Sequence, residues 1–383
     1  MILNDYFDPV SLEKPDYNLI SEDHEFSRSV IINTPDTPIK ELNRLDVAII
    51  GIPDGKNAYI QGVAGAADKI RQKLYQLAYI DKKIQVADFG NLKITENQND
   101  TYFAIRDVFL ELKENNVILL LIGGEQNLTW GLAEAFKNYK GFWNLTTLDA
   151  RLDFHFPGET MNARNYLDTI FNEFSSPKFE YTNIGHQVYF TPINILDKLE
   201  NKGFQSIRLG KARSSMEDTE PVLRDTDIFS VDIGAVRQSD APASNIPTPN
   251  GFFGYELCQL SRYAGASPRM KAAGFFELNS QKDTDHYTAH LIAQAIWYFI
   301  DGLANRQIED PQRNSAKKYI VKISGNDDII FYNSTTSNRW WMELPVTDPA
   351  TGKKILISCT HEDYTLACNN EIPHRWWKRM KRY

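Results

Sequence analysis

Unbroken apolar runs alternate with stretches of helical spacing through the middle of this chain. Residues 47–51 and 117–122 are two such runs, and a glycine closes or follows each of them. A short, continuously apolar run is typical of a strand that is buried on both faces. Between them, residues 102–113 place apolar side chains three and four positions apart, the spacing of one helix face. The alternation predicts an α/β fold of three layers, α/β/α, in which helices cover both faces of a parallel sheet.

The same criteria divide the rest of this region into strands and helices. A loop is expected after residue 149, and helical spacing resumes near residue 193. Strands are predicted at 47–51, 84–89, 117–122, 145–149, 181–184, 206–209, 228–231 and 274–278. Helices are predicted at 65–77, 102–113, 128–136, about 193–202, 216–224, 254–264 and 285–303.

Both ends of the chain depart from this pattern. Residues 1–44 are polar, contain several prolines and have no clear period, so they are interpreted as an irregular N-terminal arm. Residues 45–309 form the α/β domain. Residues 310–383 are predicted to be a β-rich C-terminal extension packed on that domain. Its short strands are expected at 318–323, 329–332 and 355–358, with a turn at Thr351 and Gly352.

The composition is that of an ordinary globular protein, with 42% hydrophobic and 24% charged residues among 383. The net charge of −8 argues against nucleic-acid binding, because an acidic surface repels phosphate backbones. Residues 376–383 interleave aromatic and basic side chains, and we interpret them as a packed terminal segment rather than a nucleic-acid contact. Cys258, Cys359 and Cys368 are too few and too widely spaced for a disulfide framework or a structural zinc site.

The sequence also predicts where the protein resides. Its first residues lack the basic start and apolar stretch of a signal peptide. No apolar run approaches the roughly 18 residues that a membrane helix needs. We therefore expect a cytoplasmic protein without membrane contact.

Polar clusters follow three of the predicted strands. They are Gly123–Asn127, Asp149–His155 and Ser230–Gly234. Because ligands of parallel sheets bind at the carboxyl ends of the strands, the three clusters are expected to meet at one edge. Chemistry is therefore to be sought there.

The three clusters resemble motifs of the arginase, agmatinase and formimidoylglutamase superfamily. In that superfamily they read Gly-Gly-Asp-His-Ser, Asp-Ala-His-x-Asp and Ser-x-Asp-x-Asp. The order and spacing of further segments match as well, so the resemblance covers about residues 45–305 and implies an arginase-like fold. These segments are Gly51–Pro53, Gly62–Arg71, Asp88–Asn91, Asn183–Gly185 and Phe276–Asn279.

The resemblance implies a metal site that has been partly lost. In the superfamily, six side chains of these clusters hold two manganese ions, whose bridging hydroxide attacks a guanidino or formimino carbon. Arginine has no lone pair to donate and glycine has no side chain, so the second ion would lose its ligands. The remaining oxygen ligands would suit a hard ion such as magnesium or calcium. The six positions correspond to Gln126, Asp149, Arg151, Asp153, Asp232 and Gly234.

Charge balance constrains this remnant site. Three carboxylates and one guanidinium leave a formal charge of −2, which is costly to bury. One divalent ion, a nearby Lys or Arg, a cationic ligand or carboxyl groups with raised pKa values could each offset it. We favour the hypothesis that the Arg151 guanidinium forms a fork to two of the aspartates and replaces a metal ion.

Three hypotheses about function remain open. The first is a pseudoenzyme that lacks the dinuclear manganese centre, needs no cofactor and acts as a binding or scaffold protein for a small cationic or amidine ligand. The second is an active hydrolase of guanidino or formimino C–N bonds with one divalent ion, manganese, magnesium or calcium. The third is an interaction protein that uses its arm and extension. The resemblance also suggests a homo-oligomer.

Other residues of the pocket are assigned by position. Gln126, Arg151 and Glu277 are the candidate pocket residues, and Gln126 joins the three aspartates as a candidate metal ligand. Glu277 matches a superfamily carboxylate that faces the cationic group of the substrate, although a strand-end role explains it equally well. His155 is interpreted as a loop residue, and His286 with His290 as a surface or packing pair.

Overall fold

Within the described residues, ten strands form one sheet and four form a second. The computed structural model describes residues 3–11, 18–56, 60–80, 84–154, 160–175, 178–312, 316–325, 328–348 and 352–381. The strands are β1 (Phe7–Asp8), β2 (Val30–Ile32), β3 (Val47–Gly51), β4 (Val86–Leu92), β5 (Ile118–Ile122), β6 (Trp143–Leu148), β7 (Phe179–His186), β8 (Gln205–Arg208), β9 (Ile228–Asp232), β10 (Ala272–Phe276), β11 (Ala316–Val321), β12 (Ile329–Ser334), β13 (Trp340–Thr347) and β14 (Lys354–Cys359). The helices are α1 (Ala66–Leu74), α2 (Gln98–Glu114), α3 (Thr129–Glu134), α4 (Tyr166–Glu173), α5 (Ile193–Asn201), α6 (Leu209–Ser214), α7 (Glu220–Arg224), α8 (Gly254–Gly265), α9 (Tyr287–Ala304), α10 (His361–Cys368) and α11 (His374–Met380).

The large sheet is mostly parallel and is covered on both faces. Its order is β1-β4-β3-β5-β10-β9-β6-β7-β8, and β2 also pairs with β4. The described pairings are parallel except that of β1 with β4. Apolar residues of α1, α8 and α9 form one core against the sheet, and those of α2, α3 and α4 form another. The predicted three-layer α/β/α fold with a parallel sheet is confirmed.

Two short helices depart from the sequence prediction. α4 lies where the sequence predicts a loop after residue 149, and it buries Tyr166, Leu167, Ile170 and Phe171. α6 begins at Leu209, which the sequence assigns to the end of a strand. Helices of only one or two turns have little stability of their own, so their tertiary contacts decide whether they form.

The N-terminal arm is more ordered than the sequence predicts. β2 pairs in parallel with Val86–Asp88 of β4, and β1 pairs in the antiparallel direction with Asn91 and Leu92. Phe26 is buried in the core on the α9 side. These pairings give backbone partners to β4, which would otherwise expose an unpaired strand edge.

Helix α9 is the longest of the described helices and lies in the middle of one core. It spans 18 residues and packs extensively against α8. His286 and His290 are half-buried at its start. None of the helices in the described part of the chain combines the length and apolar character that crossing a bilayer requires.

The C-terminal extension has its own sheet and its own small core. Strands β11 to β14 form an antiparallel sheet in chain order, and α10 and α11 cover it. The sequence misses β13, which contains Pro345, and both helices; Thr351 of the predicted turn lies outside the described residues. Trp340 and Trp341 are buried, Trp340 beside Tyr364.

Polar contacts join the extension to the α/β domain. The Asp225 carboxylate accepts hydrogen bonds from the backbone nitrogen and hydroxyl of Ser358, at 2.9 and 2.6 Å. The buried Arg224 donates to the Trp340 carbonyl oxygen at 2.9 Å. In the terminal segment, Trp376 is buried and Arg379 forms an ion pair with Glu180 of β7. Trp376 and Arg379 of this segment thus participate in packing, whereas Trp377 is exposed.

We expect the variant Asp225→Ala to loosen the extension. It removes two hydrogen bonds to Ser358, and bonds to a charged group contribute about 1.5–3 kcal/mol each. Limited proteolysis should therefore cut between α9 and β11 faster than in the parent protein, while the α/β domain stays resistant. Cleavage at the parent rate would contradict the contact. Asp301→Asn, which changes a surface ion pair with Arg262, is the control.

Candidate functional site

A sharp turn after β5 directs polar side chains to the edge of the sheet. Gly123 and Gly124 have φ angles of 80° and 75°. A Cβ on Gly123 would lie 2.8 Å from the backbone nitrogen of Ala67 on α1. Glycine alone fits such a close approach in this conformation without strain. Residues 125–127 follow the turn and are all buried.

Gln126 is fixed at one end and unsatisfied at the other. Its backbone nitrogen donates to Glu277 Oε1 at 2.8 Å, and its Nε2 donates to Ser230 Oγ at 3.2 Å. Its Oε1 is buried and has no hydrogen-bond partner among the described residues. Such an orphaned acceptor costs about 1–3 kcal/mol, so it marks a position where a donor or a cation would be stabilised.

Asp149 follows β6 and opens the loop that carries Arg151 and Asp153. Asp149 Oδ1 accepts a hydrogen bond from the backbone nitrogen of Arg151 at 2.8 Å. Asn183, on the neighbouring strand β7, donates to the carbonyl oxygens of Asp149 and Arg151 at 3.4 and 3.2 Å. The segment Asn183–Gly185 therefore acts by holding the Asp149 loop in place.

Asp232 ends β9 and is the most exposed of the three aspartates. Its Oδ1 accepts a hydrogen bond from the backbone nitrogen of Gly234 at 2.6 Å. A Cβ on Gly234 would lie 3.0 Å from that oxygen and 3.3 Å from the Ile246 carbonyl oxygen. A side chain at position 234 would thus contact the Asp232 carboxylate.

Glu277 occupies a strained position at the end of β10. Its φ is 69°, a conformation that non-glycine residues rarely adopt and that costs of order 1–3 kcal/mol. The carboxylate accepts hydrogen bonds from the backbone nitrogen of Gln126 and from Asn245 Nδ2, at 2.8 and 3.1 Å. Asn279 in turn donates to Asn245 Oδ1 at 3.1 Å. This hydrogen-bond network holds the Glu277 side chain in one conformation, with its carboxylate facing the site.

Five carboxyl groups, Glu125, Asp149, Asp153, Asp232 and Glu277, make up what we call the acidic cluster. Burial raises the pKa of every member, to about 9 for Glu125 and to about 7 for Asp153, Asp232 and Glu277. Burial and the neighbouring Asp153 raise the pKa of Asp149 well above its ordinary value. The cluster therefore reduces its own charge by retaining protons, one of the four compensations that the sequence leaves open.

Arg151 does not form the predicted fork. Its guanidinium carbon lies 4.3 Å from the centre of the Phe190 ring, and its Nη1 lies 3.5 Å from the Ile246 carbonyl oxygen. It makes no ion pair with a carboxylate of the described residues, although its charge still lowers the pKa of Asp149 and of Asp232. The ring face attracts the cation and draws it away from the carboxylates. The hypothesis of an internal metal substitute is wrong in this form.

A different arginine reaches the cluster. Arg164 lies just before α4, and its Nε is 3.5 Å from Asp153 Oδ1. Tyr166, at the start of α4, is fully buried, and burial raises its pKa well above the ordinary value, with smaller contributions from Tyr181 and the three aspartates. The sequence misses both residues because it places no helix here. The apolar spacing of Tyr166 and Ile170 is the signal that could have revealed it.

The family model described as Arginase family matches residues 45–301, which is about two thirds of the chain. The chain belongs to the arginase family. One curated protein is also similar over a short stretch. It comes from Methanosarcina mazei, is named "Putative 2'-deoxynucleoside 5'-phosphate N-hydrolase 1", and is 31% identical over 75 residues. That match covers 20% of this chain and 47% of the relative. This chain therefore spans about half of the relative's length.

Solved structures of the arginase family share this fold at low sequence identity. Formiminoglutamase from Trypanosoma cruzi with Mn²⁺ matches with a TM-score of 0.65 and 16% identity, over 70% of this chain and 97% of its own. Formimidoylglutamase from Bacillus subtilis matches with a TM-score of 0.66 and 17% identity, over 78% of this chain and 97% of its own. Agmatine ureohydrolase from Thermoplasma volcanium matches with a TM-score of 0.58 and 20% identity, over 69% of this chain and 92% of its own. At these identities, the likeness establishes the fold alone.

The donor set does not fit the dinuclear manganese centre that the arginase family implies. At two of the six positions stand Arg151, whose guanidinium has no lone pair, and Gly234, which has no side chain. Although its guanidinium lies on Phe190, the Arg151 charge still acts on Asp149 and Asp232 and so disfavours a divalent cation there. In the part of the chain that the structure describes, no group of three or more His, Cys, Asp or Glu is arranged to hold a metal ion. His155 lies outside those residues.

Proposed function

We propose that this arginase-family chain is a pseudoenzyme that lacks the dinuclear manganese centre and binds a small amidine or guanidinium cation. The observation that carries the proposal is the pair of substitutions at Arg151 and Gly234. Both residues adjoin the Ile246 carbonyl oxygen: Arg151 Nη1 lies 3.5 Å from it and a Cβ on Gly234 would lie 3.3 Å from it. The cationic Arg151 side chain therefore lies beside the place that a metal-binding carboxylate at position 234 would occupy.

The acidic cluster favours a cationic ligand. Among the described residues, Arg151 and Arg164 are the cations that act most strongly on its carboxyl groups. A planar cation can form paired hydrogen bonds with a carboxylate, which gives both charge compensation and geometric selectivity. Gln126 Oε1, buried and without a described partner, would accept a further N–H from such a ligand. Asp232 is the member through which a ligand would make first contact, because it is the most exposed.

The ligand class is tested with guanidinium and urea, which have the same planar shape and differ in charge. In calorimetric titrations of the full-length chain, guanidinium should bind and urea should not. Asp232→Asn should weaken guanidinium binding about tenfold or more, since a hydrogen bond to a charged group contributes roughly 1.5–3 kcal/mol. The control Asp301→Asn removes a surface carboxylate that pairs with Arg262 and should leave binding unchanged. Equal binding of the two probes would contradict a charge-selective site.

The absence of catalysis is tested separately. Purified protein should release no urea from arginine or agmatine and no formamide from formiminoglutamate, with or without added manganese. Turnover that a chelator abolishes would overturn the proposal. Equal turnover by a variant with Asp149→Asn and Asp153→Asn would instead indicate a contaminating enzyme, so this variant serves as the control.

One observation supports the alternative of an active hydrolase with a single divalent ion. The orphaned Gln126 Oε1 is an oxygen donor that a hard cation could use, together with the neighbouring aspartates. This alternative predicts about one tightly held ion per chain after purification without chelators. Metal analysis that finds such an ion, with loss of activity on its removal, would favour the alternative over the pseudoenzyme.

A further inference from the structure

A cavity separate from the acidic cluster lies at the same edge of the sheet, where β7 and β8 end. Its volume is about 350 Å³, and no member of the acidic cluster lines it. His186 and Gln187 from the end of β7 line one part, and Arg208 at the end of β8 lines another. We call this cavity the arginine pocket. Its size is at the lower end of the range typical of small-molecule sites.

The charge of the arginine pocket is opposite to that of the protein as a whole. Arg208, Arg213 and Arg237 line it, and no described acidic residue does. Arg213 pairs with Glu256 at 2.9 Å, and Arg237 pairs with Asp240 at 2.8 Å. Arg208 is exposed and pairs with no carboxylate of the described residues. One guanidinium therefore remains uncompensated in a chain whose net charge is −8.

The two paired arginines are held rigidly. The guanidinium carbons of Arg213 and Arg237 lie 4.1 and 3.9 Å from the centre of the Phe253 ring. Stacking on an aromatic face fixes a guanidinium without consuming all of its N–H donors. Their carboxylate partners, Glu256 and Asp240, fix them further and do not themselves line the pocket. The wall of the pocket is thus built of preorganised hydrogen-bond donors.

His186 supplies an observation that does not depend on the arginines. Its side chain lines the pocket and is only 2% exposed, yet in the described part of the chain neither ring nitrogen makes a hydrogen bond of normal geometry, and the ring's one backbone interaction, with Ile207, is weak. Burial and the Arg208 charge lower the pKa of His186 to about 4, so the ring is neutral at physiological pH. A neutral imidazole carries one N–H. A buried N–H that lacks a hydrogen bond of normal geometry, in a cationic pocket, points to a bound acceptor.

We propose that the arginine pocket binds a small molecule through an oxyanionic group, a carboxylate or a phosphate. The Arg208 guanidinium offers a fork of N–H donors to two of its oxygens, and His186 offers one more donor. The proposal is independent of what the acidic cluster binds. The two sites have opposite charge preferences and do not share a lining residue.

The proposal is tested with inorganic phosphate, glutarate and chloride as probes for calorimetric titration of the full-length chain. Phosphate or glutarate should bind with a dissociation constant of about 1 mM or tighter, and chloride should not compete. Preference for one of the two identifies the group. Arg208→Gln should weaken binding about tenfold or more, the effect of losing a charged donor. Arg208 is exposed, so this variant should fold normally.

Lys211→Gln is the matched control. Lys211 lies in α6, three residues after Arg208, carries the same charge and does not line the pocket. Its removal should change affinity less than about twofold, because exposed charges are screened by salt. His186→Phe keeps a ring of similar size and should also weaken binding. Equal losses from Arg208→Gln and Lys211→Gln, or no binding of either oxyanion at about 10 mM, would overturn the proposal.

Discussion

The triple variant Gln126→His, Arg151→His and Gly234→Asp is expected to bind about two manganese ions per chain, whereas the parent chain should bind none tightly. The three changes restore the ligand types that the arginase-family motifs have at these positions. Neutral imidazole favours transition metals over the hard ions that an all-oxygen set selects. The change at position 151 also removes the cation that lowers the pKa of Asp149 and Asp232. Equilibrium dialysis with elemental analysis measures the stoichiometry.

Room for the new carboxylate is tight but present. Gly234 does not have a positive φ, and a Cβ there would lie 3.0 Å from Asp232 Oδ1 and 3.3 Å from Asp232 Oδ2. Those atoms must therefore move by a few tenths of an ångström. The single change Gly234→Asp adds a carboxylate while Arg151 remains, so it should restore no manganese binding. Adding Asp149→Asn to the triple variant should abolish binding. If the single change alone restores the metal, Arg151 is not the obstacle that we propose.

Arg71→Met should lower the free energy of unfolding by about 3–5 kcal/mol, the range for breaking a buried ion pair. Arg71 is completely buried, and its Nε and Nη2 donate to the two oxygens of Asp88 at 2.8 and 3.0 Å. Its Nη1 also donates to Asn91 Oδ1 at 2.5 Å. Without the guanidinium, Asp88 would remain buried as an uncompensated charge. Denaturant-induced unfolding of the full chain measures the loss.

Two variants separate the electrostatic cause from lost packing. Arg106→Gln removes a half-exposed arginine that pairs with Asp107, and it should cost less than about 1 kcal/mol. Arg71→Met combined with Asp88→Leu removes both charges and should be more stable than Arg71→Met alone, because no buried charge is then unpaired. A combined variant that is less stable than the single one would show that packing, rather than charge, dominates.

The buried pair gives a structural reason for several of the segments in which this chain matches the arginase family. Arg71 comes from the segment Gly62–Arg71, and Asp88 and Asn91 lie within β4, which extends through the turn that the sequence suggested there. Together they hold α1 against β4. Gly51 leaves the space that they occupy, since a Cβ there would lie 2.0 Å from Asn91 Oδ1. These contacts stabilise the fold, so the fold needs them whatever the chemistry of the site.

The sequence by itself determined the layers of the fold and the position of the site. Apolar periodicity is a local property, so it predicted the strands of the α/β domain within a few residues. Because parallel strands end at one edge, the clusters that contain Gln126, Asp149 and Asp232 were expected to meet there, and the structure brings them together. That Arg151 and Gly234 offer no metal-donor atom follows from residue type alone.

Only the tertiary structure decided how the charges of the site are balanced. Arg151 lies against Phe190, which is 39 positions away along the chain, and Arg164 reaches Asp153 because α4 forms. The arginine pocket likewise combines residues from β7, β8 and the segment after β9. A long cationic side chain can adopt many directions of similar intrinsic energy, so distant ring faces and carboxylates select among them. Such selection leaves no periodic signal in the sequence.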